Sequence, residues 1–152
     1  MNTTIRLSMA ALTALFSIPA VAQAPIAGTW LATFERNVRN EDGVISADTG
    51  KARIVFEVRG DSVFGTWTVV SPVQTPPVPP RRLRGTQSNG RVRVAAEPVE
   101  AVMNENGNET KVRMVATYDF VVQGNALNGT AELTSGAMPP MSRPFSAVRE
   151  RP

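Results

Sequence analysis

Four copies of one dipeptide, Gly28-Thr29, Gly65-Thr66, Gly85-Thr86 and Gly129-Thr130, restrict this chain to a narrow class of folds. Two of them close stretches built on the same frame, residues 57–69 and 121–133, in which an apolar-alternating run meets Gly-Asp or Gly-Asn and then a second such run. Alternation with period two places successive side chains on opposite faces of a strand, and the glycine pair supplies the positive φ that a tight hairpin needs. The frame is therefore a repeated β-hairpin, and a chain made of hairpins in sequence forms an antiparallel meander.

The remaining segments extend that pattern. Gly28, Trp30, Ala32 and Phe34 share one face of a first strand, and Ala52, Ile54, Phe56 and Val58 one face of the next. Val63, Gly65, Trp67 and Val69 form the inner face of its partner. Ser88-Asn89-Gly90 marks a further hairpin between residues 83–86 and 91–96. Val112, Met114, Ala116, Tyr118 and Phe120 alternate with Lys111, Arg113, Thr117 and Asp119, and residues 127–133 and 143–149 supply two more strands. Residues 37–50, rich in turn formers, read as a long loop or a short additional hairpin, and residues 104–110 as a polar loop. No stretch after residue 24 keeps a 3.6-residue period over ten positions. The expectation is an all-β fold, an antiparallel up-and-down barrel of about eight strands, with almost no helix.

Arg6, the apolar run Leu7–Val21 and the small-residue site Ala22-Gln23-Ala24 read as a secretory signal cut after Ala24. Residues 25–152 then form one domain, exported, periplasmic or extracellular, and soluble. A barrel embedded in a membrane would need an apolar outer band, whereas the outward positions include Lys51, Arg53, Glu57, Arg91, Arg93 and Arg113.

Two absences narrow the chemistry. Without cysteine there are no disulfides, thiolate nucleophiles or thiolate metal sites, and without histidine the usual general base and the commonest zinc ligand are missing. The acidic residues show no D-x-D-x-D-G calcium spacing. The expectation is therefore no metal, no cofactor and no catalysis. Arg59-Gly60-Asp61 is a hairpin turn rather than an adhesion motif.

The Gly28-Thr29-Trp30 opening, followed by hairpins and a late arginine, resembles the lipocalin and wider calycin pattern of small exported barrels. The resemblance implies that an arginine near the chain end packs over the tryptophan and closes the barrel base. Arg149 is best placed for this, with Arg151 and Arg143 as alternatives. The paired Gly-Thr-Trp motifs also look like avidin-type barrels, but with Trp30 and Trp67 as the only tryptophans, biotin binding is not implied.

These residues leave two functional classes open. In the first, Trp67, Phe34, Phe56, Met114, Tyr118 and Phe120 line an internal cavity for a small apolar or lipid-like ligand. In the second, the same residues fill a dry core, and the barrel is a structural or protein-interaction module acting through surface loops. An enzyme using carboxylates and Tyr118 is a distant third reading. Arg81, Arg82, Arg84, Arg91 and Arg93 form a basic hairpin suited to an anionic envelope component rather than nucleic acid, since few aromatics interleave with them. The proline-rich segment 72–80 is a stiff connector or a lid. Oligomeric state is not legible.

Overall fold

The computed structural model describes residues 25–39, 41–73, 77–105, 107–136 and 138–151. Residues 1–24, read above as a signal, lie outside the described residues, as does the middle of the proline-rich connection. The nine strands are β1 (Gly28–Arg39), β2 (Ile45–Arg59), β3 (Ser62–Ser71), β4 (Arg81–Ser88), β5 (Arg91–Ala96), β6 (Val99–Glu105), β7 (Asn108–Gln123), β8 (Ala126–Ser135) and β9 (Met138–Arg149). Every pairing is antiparallel, and the order β5-β4-β3-β2-β1-β9-β8-β7 closes through a β5–β7 ladder into an eight-stranded barrel.

The ninth strand is an addition. The lower half of β7 pairs with β5 from Ala95↔Thr117 to Arg91↔Val121, while its upper half pairs with β6 from Val99↔Met114 to Glu105↔Asn108. β5 and β6 thus lie end to end along one long strand, and Pro98, which has no backbone N–H to donate, occupies the joint between them. The polar loop expected at residues 104–110 is instead the tip of this β6–β7 hairpin.

A second difference concerns residues 37–50. They belong mostly to a continuous β1–β2 hairpin whose ladder runs to Arg39↔Ile45, so Asp48 and Gly50 are strand residues despite their turn preference. Cross-strand partners override that preference: Asp48 faces Arg36 and Gly50 faces Phe34.

The two ends of the barrel are unlike. Three hairpins turn tightly at one end, with positive φ at Gly60, Asn89, Gly90 and Gly124. The opposite end carries the longer connections between β1 and β2 and between β3 and β4, together with the β6–β7 hairpin. Inward positions alternate with exposed ones along β2 and β5, and the resulting core includes Trp30, Ile54, Phe56, Leu83, Phe120 and Leu127, each at most 2% exposed.

Strand approach explains two of the four Gly-Thr copies. A Cβ on Gly85 would lie 1.9 Å from the Arg93 carbonyl oxygen, and one on Gly129 would lie 2.0 Å from that of Asp119. Both sites admit only hydrogen, because the neighbouring backbone crosses directly over them. The companion threonines Thr66, Thr86 and Thr130 are exposed on the outer wall.

Candidate functional site

At the tight-turn end, Trp30 is fully buried and its indole Nε1–H donates to the Ile26 carbonyl at 2.8 Å. Arg149 lies over the indole, with Cζ 4.1 Å from the ring centroid. Its guanidinium donates to the Ala27 carbonyl at 2.8 Å and also to that of Pro25. One side chain therefore ties the entering chain, the first strand and the last strand together. Among the described residues no buried side-chain nitrogen or oxygen is left without a hydrogen-bond partner. Arg143 and Arg151 take no part in it: Arg143 lies near the middle of β9 and lines the cavity above, and Arg151 is exposed.

The interior above this base changes character along the barrel. Phe56, Phe120 and Phe145 pack together, with Phe120 centroids 5.8 Å from Phe56 and 5.4 Å from Phe145. Phe56 and Phe120 thus sit in the packed core rather than on a cavity wall, because these three rings fill the space between them. Met114 is half-buried on the inward face of β7 and is not part of the cavity wall either.

Beyond that plug a cavity of about 760 Å³ opens at the end with the long connections. Its apolar wall is formed by Phe34, Trp67, Tyr118 and Phe145. Trp67 stacks on Tyr118 at 5.4 Å with an interplanar angle of 24°, and Phe34 tilts against Trp67 at 5.7 Å. Gly50 makes the Phe34 position possible, since a Cβ there would lie 2.4 Å from the ring. Val78 and Pro79, at the end of the proline-rich connection, contribute to the rim. Three of the six residues expected to line a cavity, Phe34, Trp67 and Tyr118, therefore do so together.

The mouth is charged. Arg36 on β1, Arg81 on β4 and Arg143 on β9 continue the inward-facing rows of their strands and are all half-buried. Arg36 donates from Nε at 2.9 Å and from Nη2 at 2.6 Å to Asp48 Oδ2. The Arg36 hydrogen bonds, aided by the Thr49 amide, hold the Asp48 carboxyl below its ordinary value. Arg143 donates to the Glu35 carbonyl at 3.3 Å. Burial pushes the Tyr118 hydroxyl above its ordinary value, with the nearby Arg81 charge opposing the shift in part. At neutral pH Tyr118 is therefore a protonated hydrogen-bond donor, and Asp48 is an ionised group already engaged.

Arg81 was expected on the outer surface with its neighbours, but it lies inside the mouth because it is in phase with the buried Leu83. Arg82, Arg84, Arg91 and Arg93 do face outward and are exposed. Arg91 is bound to Asp119 through two hydrogen bonds, Nε to Oδ1 at 2.6 Å and Nη2 to Oδ2 at 3.0 Å, which neutralises part of that patch. The sequence offers Arg143 only as an alternative barrel-closing arginine and gives no mouth role to Arg36, although the period-two phase running from Trp30 through Phe34 reaches Arg36. Among the described residues no group of three or more acidic side chains is arranged to hold a metal ion.

No sequence-family model matches the chain, and no curated protein matches it. Among solved structures, the chain is similar to the monomer form of the M. tuberculosis PknI sensor domain, with a TM-score of 0.50 and 14% sequence identity over 85% of this chain and 90% of that one. The likeness extends across most of the barrel, and what it carries over at this identity is the fold.

Proposed function

We propose that this protein is an exported, non-catalytic binding protein that holds a small, largely apolar molecule in the aromatic cavity at the mouth of its barrel. The observation that carries this reading is the half-filled interior: a plug of Phe56, Phe120 and Phe145 below, and about 760 Å³ of open space walled by Phe34, Trp67 and Tyr118 above. A cavity in the range of a few hundred to about 1,000 Å³ with aromatic walls and a few polar groups suits a drug-sized ligand. The sensor role in the name of the similar PknI domain is compatible with ligand recognition by such a barrel.

A binding role without turnover is supported by the state of the nearby groups. Asp48 is engaged by Arg36, Tyr118 keeps its proton, and Glu35 and Glu132 at the rim are exposed to water. Neither Asp48 nor Tyr118 is poised to transfer a proton near neutral pH. Export rests on residues 1–24, and Lys51, Arg53, Glu57, Arg93 and Arg113 on the outer wall favour a water-surrounded barrel over a membrane-embedded one.

Native mass spectrometry of protein recovered from the exported compartment tests the reading. A reproducible bound mass, lost in Trp67→Ala but kept in Arg113→Gln, supports it. A clean apo mass, together with no change in tryptophan emission across a panel of apolar compounds, overturns it. The surface-interaction reading would then stand, favoured by β6, whose outer edge has no strand partner among the described residues.

A further inference from the structure

We propose that the cavity selects an amphiphilic anion, an apolar body ending in a carboxylate, sulfonate or phosphate, with the acid group held by Arg81 and Arg143 at the mouth. This rests on the binding reading above and specifies the ligand class of the same site. Three guanidinium groups project along inward-facing rows around one opening, and one of them, Arg36, is already engaged by the exposed Asp48 directly across the β1–β2 ladder. Arg143 has only a backbone carbonyl, that of Glu35, and Arg81 has no carboxylate partner among the described residues. Half-burying a guanidinium without a counterion sacrifices hydration with no ion-pair return, so two such groups facing one opening favour an anion between them.

The neighbouring chemistry fits. Tyr118, kept protonated, presents a hydroxyl donor between the aromatic wall and the arginines. Glu35 and Glu132 also reach the rim, but they are exposed, and neither forms an ion pair with Arg81 or Arg143. Their repulsion acts through water and is screened, whereas a bound acid would meet arginine in the less hydrated mouth. The planar fork of arginine also matches carboxylate and phosphate oxygens in pairs. Below the arginines the stacked Trp67–Tyr118 pair, Phe34 and Phe145 offer only neutral groups, the Tyr118 hydroxyl and the Trp67 indole N–H being their polar ones, which orients the ligand: apolar end inward, acid at the opening.

Matched probe pairs followed by tryptophan emission test this on the chain lacking residues 1–24. Naphthoic acid is compared with naphthalenemethanol, and lauric acid with dodecanol, so that aromatic and acyl bodies are separated from the acid group itself. Each acid should bind at least about tenfold more tightly than its alcohol at low salt, as expected for a charge-assisted contact. Arg81→Gln and Arg143→Gln should each weaken acid binding far more than alcohol binding, bringing the two within about threefold of each other, and Arg113→Gln on the outer wall should change nothing. Equal binding of acid and alcohol overturns the anion inference while leaving the apolar site intact. An acid preference that survives both arginine substitutions also overturns it. Failure of all four probes to bind removes the binding reading, and this inference with it.

Discussion

Trp67 on β3 and Tyr118 on β7 stack with ring centroids 5.4 Å apart although their strands share no ladder, so the contact spans the lumen of the barrel. This pair marks the boundary between filled and open interior. Phe145 touches Tyr118 from below at 5.2 Å and continues into the plug.

The two sides of that boundary should respond differently to truncation. Phe120→Ala removes a ring from dry core and should cost about 3–5 kcal/mol in urea unfolding. Trp67→Ala enlarges a space already open to solvent, should cost clearly less, and should abolish ligand retention. Equal losses of stability would place Trp67 in the core.

Arg149→Ala removes a cation–π contact and two hydrogen bonds to the carbonyls of Pro25 and Ala27. The expected loss is about 1–3 kcal/mol by denaturant titration. Arg149→Lys should recover only part, because a point charge cannot cover the ring and reach both carbonyls at once.

Gly85→Ala and Gly129→Ala should each destabilise the barrel by about 1–3 kcal/mol or more, because the added methyl meets backbone rather than a side chain that can swing away. Gly43→Ala is the informative comparison: its Cβ would meet nothing, so the penalty there comes only from the φ of +81°. Thermal midpoints of the three variants decide it.

Stability should vary little between about pH 5 and 8, because no histidine titrates there. Asp48, Asp119 and Glu150 are all held below their ordinary values, first by hydrogen bonds from Arg36, Arg91 and Arg53 respectively. Their contribution is present above the unfolded carboxyl values, near about 4, and is lost as pH falls through the lower folded values. Water screens all three pairs, so the acid limb should be shallow, and Asp119→Asn should flatten it further. Tyr118 has the opposite sign: its raised value adds stability that fades as pH rises past about 10. A denaturation midpoint changing most steeply between pH 6 and 8 would contradict this assignment.

Much of the architecture was legible because period-two alternation is a local signal. Trp30, Ile54, Phe56 and Phe120 could be assigned to the inner face from their phase alone, and the Gly60, Asn89-Gly90 and Gly124 turns from their composition. The β6 strand was not read because the turn-rich tip that follows it and the Pro98 break before it masked a short strand. The mouth was harder for a different reason. Arg36, Arg81 and Arg143 lie on the inward phase, but an arginine reads as a solvent-facing residue unless closure of the barrel, and an opening that admits its charge, are already known. The division of six aromatic and methionine candidates into wall and plug depends on depth along the axis, which alternation does not encode.

The plug of Phe56, Phe120 and Phe145 also acts as a ruler. A guest entering past Arg81 and Val78 stops at a fixed depth, so only a set length of it leaves water. In a homologous series of acids, affinity should rise by about 0.8 kcal/mol per added methylene and then level off once the tail reaches the plug. Longer members would have to fold back or protrude past the proline-rich rim, and the chain length at the plateau would measure the distance from the arginines to Phe145.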